Sequence, residues 1–238
     1  MKNLYLLLAL FFLSSYQAPV EKEIADPATY LDEIKASLKK EWPDNHTINL
    51  VFHGHSVPAG YFKTPVVNTL EAYPYQVLKA LKAAYPYAVI NIINTSIGGE
   101  NSESGSKRFA KDVLIHKPDV LFIDYALNDR GIGLDKSKSA WEAMIRQALE
   151  KNIKIILLTP SPDTSVHISE PGNVLEKHAL QIRSLAKKYS IGLANSYAAF
   201  KQVADPGNDL NAYMSQINHP NEKGHALIAE AILRYFIN

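Results

Sequence analysis

From about residue 48 onward, strand-length runs of β-branched and apolar residues alternate with helical patterns, and this constrains the fold more than any other feature of the chain. The apolar runs fall at residues 48–52, 89–93, 120–125 and 153–159, with a weaker fifth at 191–194. Between them Val77, Leu78, Leu81 and Tyr85 mark one face of a helix, and residues 104–115, 137–151 and 173–189 carry helical patterns. Ile228, Ala231, Ile232, Tyr235 and Phe236 repeat at i, i+3, i+4, i+7 and i+8, the apolar stripe of a last helix. Continuous apolar runs, rather than alternating ones, belong to strands covered on both faces, and strand–helix alternation makes such strands parallel. The pattern therefore predicts a three-layer α/β/α sandwich around a five-stranded parallel sheet, in the flavodoxin-like order 2-1-3-4-5. Ligands of such sheets sit beyond the carboxyl ends of the strands.

The rest of the chain is bounded by length and composition. With 238 residues, 47% hydrophobic and 21% charged, it can bury one sizeable core, and no linker or repeat marks a second domain. The mixed charges and a formal net charge of +1 give no reason to invoke nucleic acid. Lys2 followed by an unbroken apolar stretch at 4–13 reads as a secretory leader over residues 1–18; an uncleaved membrane anchor is the other reading. Residues 19–45 form a charged helical lead-in with Leu31, Ile34 and Leu38 at helical spacing, and residues 46–238 form the main domain. No later run is long enough to span a bilayer, so no stable membrane insertion is expected once the leader is removed. The absence of cysteine removes a thiol nucleophile, disulfides and a lipidated N-terminal cysteine.

The segments at the strand ends carry the chemistry. The first strand runs into His53-Gly54-His55-Ser56, the second into Asn94-Thr95-Ser96-Ile97-Gly98-Gly99-Glu100-Asn101, and the third into Tyr125-Ala126-Leu127-Asn128-Asp129. Asn218-His219-Pro220-Asn221 stands just before the last helix. The topology gathers all four on one rim. A serine, a histidine, an asparagine amide and glycine-rich backbone are the equipment of acyl transfer: the histidine takes the proton of an otherwise weak nucleophile, and fixed donors hold the oxyanion.

These segments resemble, in order, the blocks of the SGNH (GDSL-like) hydrolases. The resemblance covers roughly residues 48–231. It implies Ser56 as nucleophile, Gly99 and Asn128 in the oxyanion hole with the Ser56 N–H, His219 as general base, and no cofactor or metal. Three positions depart from the family pattern. His55 stands for the aspartate before the serine, and Ala126 for the third-block glycine. Gln216 stands for the aspartate three residues before the histidine, and a glutamine carries no charge to stabilise an imidazolium. A backbone carbonyl or the Gln216 oxygen is expected to accept the Nδ1 hydrogen, in preference to a displaced acid such as Asp209 or Glu222.

Each motif has a plainer reading. Ser56 alone fits a helix N-cap, Asn128-Asp129 a turn, Gly98-Gly99 a loop pair, and His219-Pro220-Asn221 a helix start. His53 and His55 lie two apart and can present two metal ligands on one strand face, but no third histidine has a diagnostic spacing. As a whole the sequence predicts a secreted or periplasmic serine esterase that removes O-acetyl groups from carbohydrate, acting on a small-molecule or glycan ester. Tyr61, Phe62 and Tyr125 are candidates to stack on a sugar ring. A lipid-directed esterase and a non-catalytic carbohydrate-binding relative are the alternatives.

Overall fold

The computed structural model describes residues 22–204 and 209–237; the expected leader lies outside them. Five parallel strands form the central sheet: β1 (Thr47–Gly54), β2 (Val89–Asn94), β3 (Val120–Asp124), β4 (Lys154–Leu158) and β5 (Gly192–Ala194). Their order is β2-β1-β3-β4-β5, the order expected. β1 is in register with both neighbours, Leu50 opposite Ile92 on one side and Val120 on the other. A second, two-stranded antiparallel ribbon pairs β6 (Met214–Gln216) with β7 (His219–Pro220).

Successive side chains of each inner strand feed two separate cores, which is why these runs are apolar throughout. Leu50, Phe52, Val120, Phe122, Ile156 and Leu158 point into one core. Val51, Leu121, Ile123, Ile155 and Leu157 point into the other. Helices α1 (Asp32–Leu38), α3 (Tyr73–Ala84), α7 (Ser196–Val203) and α8 (Glu222–Leu233) cover the first face. Helices α4 (Ser102–Asp112) and α5 (Leu134–Leu149) cover the second, together with the later turns of α6 (Val174–Tyr189). On the first face Phe52 stacks on Phe122 across β1 and β3, with ring centroids 4.3 Å apart. The expected face of α3 is confirmed by the burial of Val77 and Leu81, and the lead-in helix docks through Leu31 and Leu38. Among the described residues no helix is long and apolar enough to cross a membrane.

The helix α7 directly after β5 and the β6–β7 ribbon that carries His219 have no counterpart in the sequence reading. α8 begins as its sequence suggests. The Asn221 side chain caps it, accepting from the Lys223 and Gly224 N–H groups at 3.0 and 3.2 Å.

Candidate active site

The site lies at the carboxyl ends of β1, β2 and β3, where the chain must turn sharply. β1 ends at Gly54, and a Cβ there would collide with the Asp124 carbonyl and the Pro58 ring. That close approach lets β1 pass directly into the four-residue helix α2 (Ser56–Ala59), which begins at the serine. The loop after β2 is tied back to the end of β1 by the Ile97 N–H donating to the Gly54 carbonyl at 3.0 Å. Gly99 in that loop has φ +78°, a left-handed conformation that side chains disfavour.

Ser56 and His219, 163 positions apart, meet here. The Ser56 Oγ lies 2.8 Å from His219 Nε2, and both residues are more than nine-tenths buried. His219 Nδ1 lies 2.9 Å from the Phe62 carbonyl and 2.7 Å from Gln216 Nε2. Burial pushes the His219 pKa below the ordinary histidine value; the Phe62 carbonyl opposes that shift and nearby His55 adds to it. The shift favours the neutral imidazole, the form that accepts a proton.

In the turn after β3, the Asn128 amide donates to the Glu100 carbonyl at 2.8 Å, which leaves its second N–H hydrogen for another acceptor. Among the described residues the Ser56 and Gly99 backbone N–H groups have no acceptor either. Charges lie behind this edge. The Glu100 carboxylate accepts from Arg108 Nε and from the Tyr125 hydroxyl, each at 2.8 Å. Gly105 on α4 leaves room for that hydroxyl, which a Cβ would strike. Asp129, fully buried, accepts from the Ser102 N–H at 2.8 Å and from Ser137 Oγ and Trp141 Nε1 at 2.7 Å each. It pins the turn that carries Asn128 to the starts of both α4 and α5.

A chain with this site is also recognisable by comparison. The family model described as GDSL-like Lipase/Acylhydrolase family matches residues 52–227. The chain belongs to that family. This GDSL-like acylhydrolase is therefore a serine carboxylic ester hydrolase by class. It is 22% identical over 193 residues to an acetylxylan esterase from Geobacillus stearothermophilus, covering 76% of this chain and 87% of that one. The crystal structure of an acetylxylan esterase from the same organism superposes with a TM-score of 0.70, covering 80% of this chain and 94% of that one. A two-domain esterase active on acetylated mannans matches at 22% identity and a TM-score of 0.69, over 87% of this chain and 52% of that chain. Catalytic mutants of the Geobacillus enzyme have been solved at a serine, a histidine and an aspartate three positions before that histidine. In the present acylhydrolase the position three before His219 is Gln216.

Other expectations meet different outcomes. Phe62 and Tyr125 are buried and face no open cleft. The Phe62 ring stacks on His225 at 4.9 Å, and the Tyr125 hydroxyl is committed to Glu100 and His53, so neither can stack on a sugar. Tyr61 is half-buried, 6.1 Å from the His219 ring, and its ring is what a Cβ on Gly98 would press against at 3.1 Å. His53 and His55 do not share a face, because β1 ends between them. His53 bonds Thr95 Oγ1 at 2.9 Å and, with its pKa lowered to about 4 mainly by burial, stays neutral. His55 accepts from the Val57 N–H at 3.3 Å and turns its Nε2 toward Asp124. Asp209 accepts from the Asn211 N–H at 2.9 Å, and Glu222 opens α8; among the described residues no carboxylate is hydrogen-bonded to His219. Asp205, another acid near this block, lies outside the described residues. The sequence reading missed Glu100, Arg108 and Asp129 as supports of the asparagine; the Asn-Asp pair in a turn was the available signal.

Proposed function

We propose that this chain hydrolyses O-acetyl esters of carbohydrate with Ser56 as nucleophile and His219 as base. The 2.8 Å approach of Ser56 Oγ to a neutral His219 Nε2 is the observation that carries the reading. Ser56 Oγ attacks the acetyl carbonyl carbon and its proton passes to Nε2. The oxygen that gains charge is held by the Ser56 and Gly99 N–H groups and the free Asn128 amide hydrogen. Nε2–H then protonates the sugar oxygen as the C–O bond breaks. Water, deprotonated by the same nitrogen, releases acetate from the serine by the reverse sequence.

The acetyl preference draws its support from the relatives, which are named for acetylated xylan and mannan. Tyr61, half-buried beside His219, supplies the one aromatic ring of the three that can meet a sugar. A panel of acetylated xylo- and manno-oligosaccharides, with a nitrophenyl ester chain-length series, tests this. Rates should collapse beyond short acyl groups; a preference for long chains instead assigns a lipid-directed esterase. Gln216 favours one further reading, a binding protein that has lost turnover. A fluorophosphonate that fails to label Ser56, with no hydrolysis of any ester, selects it. The proposal includes export: mass spectrometry of the exported protein should show cleavage near residues 15–18, and an intact Met1 in the secreted fraction contradicts it.

A further inference from the structure

The imidazole of His219 has one in-plane hydrogen-bonding site at Nδ1. When Nε2 accepts from Ser56, Nδ1 carries the hydrogen and needs an acceptor. Two groups are close enough, the Phe62 carbonyl at 2.9 Å and the Gln216 amide at 2.7 Å. The orientation of that amide decides between them. The Thr64 backbone N–H can only donate, and it donates to Gln216 Oε1 at 3.0 Å. The amide nitrogen is therefore the end that faces Nδ1, with Thr64 Oγ1 at 3.2 Å on its other side. A donor cannot accept the Nδ1 hydrogen, so the Phe62 carbonyl is the acceptor at this nitrogen and the amide beside it sets two donors side by side.

We infer that the Phe62 main-chain carbonyl takes the place of the triad acid, and that Gln216 is a positioning residue that locks the carbonyl's loop to the histidine ribbon. The inference rests on the Ser56–His219 reading above. The loop is built for this placement. The Phe62 N–H donates to the Val66 carbonyl at 3.1 Å, and Asn68 N–H to the Gly60 carbonyl at 2.8 Å, so residues 60–68 close on themselves as a small ribbon. The Phe62 ring stacks on His225, itself held by the Tyr73 N–H donating to its Nδ1 at 3.2 Å. Gln216 then grips Thr64 at two atoms. Among the described residues the groups facing His219 are Ser56, the Phe62 carbonyl, the Gln216 amide, the Tyr61 ring, His55 and His225, and none of them is an anion. The consequence is an imidazole with the right tautomer and no counter-charge.

Two variants test this in the whole protein. The first replaces the Phe62–Lys63 amide by an ester, using the α-hydroxy analogue of lysine. An ester carbonyl is a weaker acceptor, and the Lys63 N–H it removes makes no hydrogen bond among the described residues. We expect kcat to fall about tenfold and the acid limb of the pH–rate profile to move down. The second is Gln216→Glu. Its carboxylate can accept from the Thr64 N–H, the Thr64 hydroxyl and Nδ1–H at the positions the amide now occupies. An added anion in contact with the imidazolium should move the acid limb up by about one pH unit or more, without loss of kcat. An ester variant with the parent's kcat and profile overturns the assignment. So does a Gln216→Glu profile that does not move. Fluorophosphonate labelling of the parent separates this failure from that of the functional reading: an unlabelled parent sinks the serine engine itself, whereas a labelled parent with unmoved profiles sinks only the carbonyl.

Discussion

The Gly99–Asn128 edge and the His219 edge of this site are built from different materials. Behind Gly99 and Asn128 stand three buried or half-buried charges. Glu100 is paired with Arg108, and Asp129 is ringed by a backbone N–H, a hydroxyl and an indole. Behind His219 stand a carbonyl, an amide and the Ser215 hydroxyl, which donates to the His219 carbonyl at 3.0 Å. One edge is anchored by charge to the helices of the second core; the other is held by neutral groups on two small ribbons. On the proposed mechanism negative charge develops at the first edge during acyl transfer and positive charge at the second. The comparison teaches that two carboxylates and one guanidinium hold the donors of the first edge in place, while the second edge is positioned by neutral groups alone.

The largest effect should come from the atom that links the two edges. Ser56→Ala is expected to lower kcat by at least ~10³-fold on an activated ester, measured at saturation; near-parent turnover would end the assignment. Next, Asn128→Ala should cost ~10²–10³ in kcat with KM little changed. A rise in KM at constant kcat would make the asparagine a ground-state binder and remove it from the charged edge. Third, Asp129→Asn turns a donor toward groups that now donate, and should destabilise the fold by about 3 kcal/mol, or roughly 6–12 °C in a thermal melt. A melt unchanged within a degree would show that the charge does not anchor that edge. The smallest effects belong to the acids nearest the neutral edge. Asp209→Asn and Glu222→Gln should each lose no more than about tenfold in kcat, or ~1.4 kcal/mol of barrier. A thousandfold loss in either would place a carboxylate behind the histidine after all.

The legibility of the sequence divides along the same line. The five strands could be read because each faces two cores and so repeats apolar residues without interruption. The approach of Ser56 to His219 was anticipated because a serine at the end of the first strand and a histidine before the last helix mark the same rim. Asn221 carried the start of α8. A backbone carbonyl was one of the two acceptors expected for His219, but which carbonyl could not be read, because a main-chain group has no residue type to announce it: Phe62 was visible as an aromatic, and its contact with His219 is made by its backbone. The ribbon of β6 and β7 is too short, three residues against two, to leave a period-two pattern. Glu100 and Arg108 lie eight apart across a loop and a helix start, a spacing no helical pair rule covers. His53 and His55 were paired by strand alternation that stops at Gly54.

The 163 positions between Ser56 and His219 also set when the enzyme becomes an enzyme. Ser56 opens α2 just past the first strand and His219 stands on a ribbon that comes after the fifth, so on the proposed mechanism the sheet can assemble while the serine is still inert. Contacts of such long sequence separation are costly to close early in folding. Acylation by an activated ester during refolding therefore acts as a clock for the docking of that ribbon against Ser56. A partly folded chain, however much secondary structure it holds, should be esterase-silent until the ribbon lands.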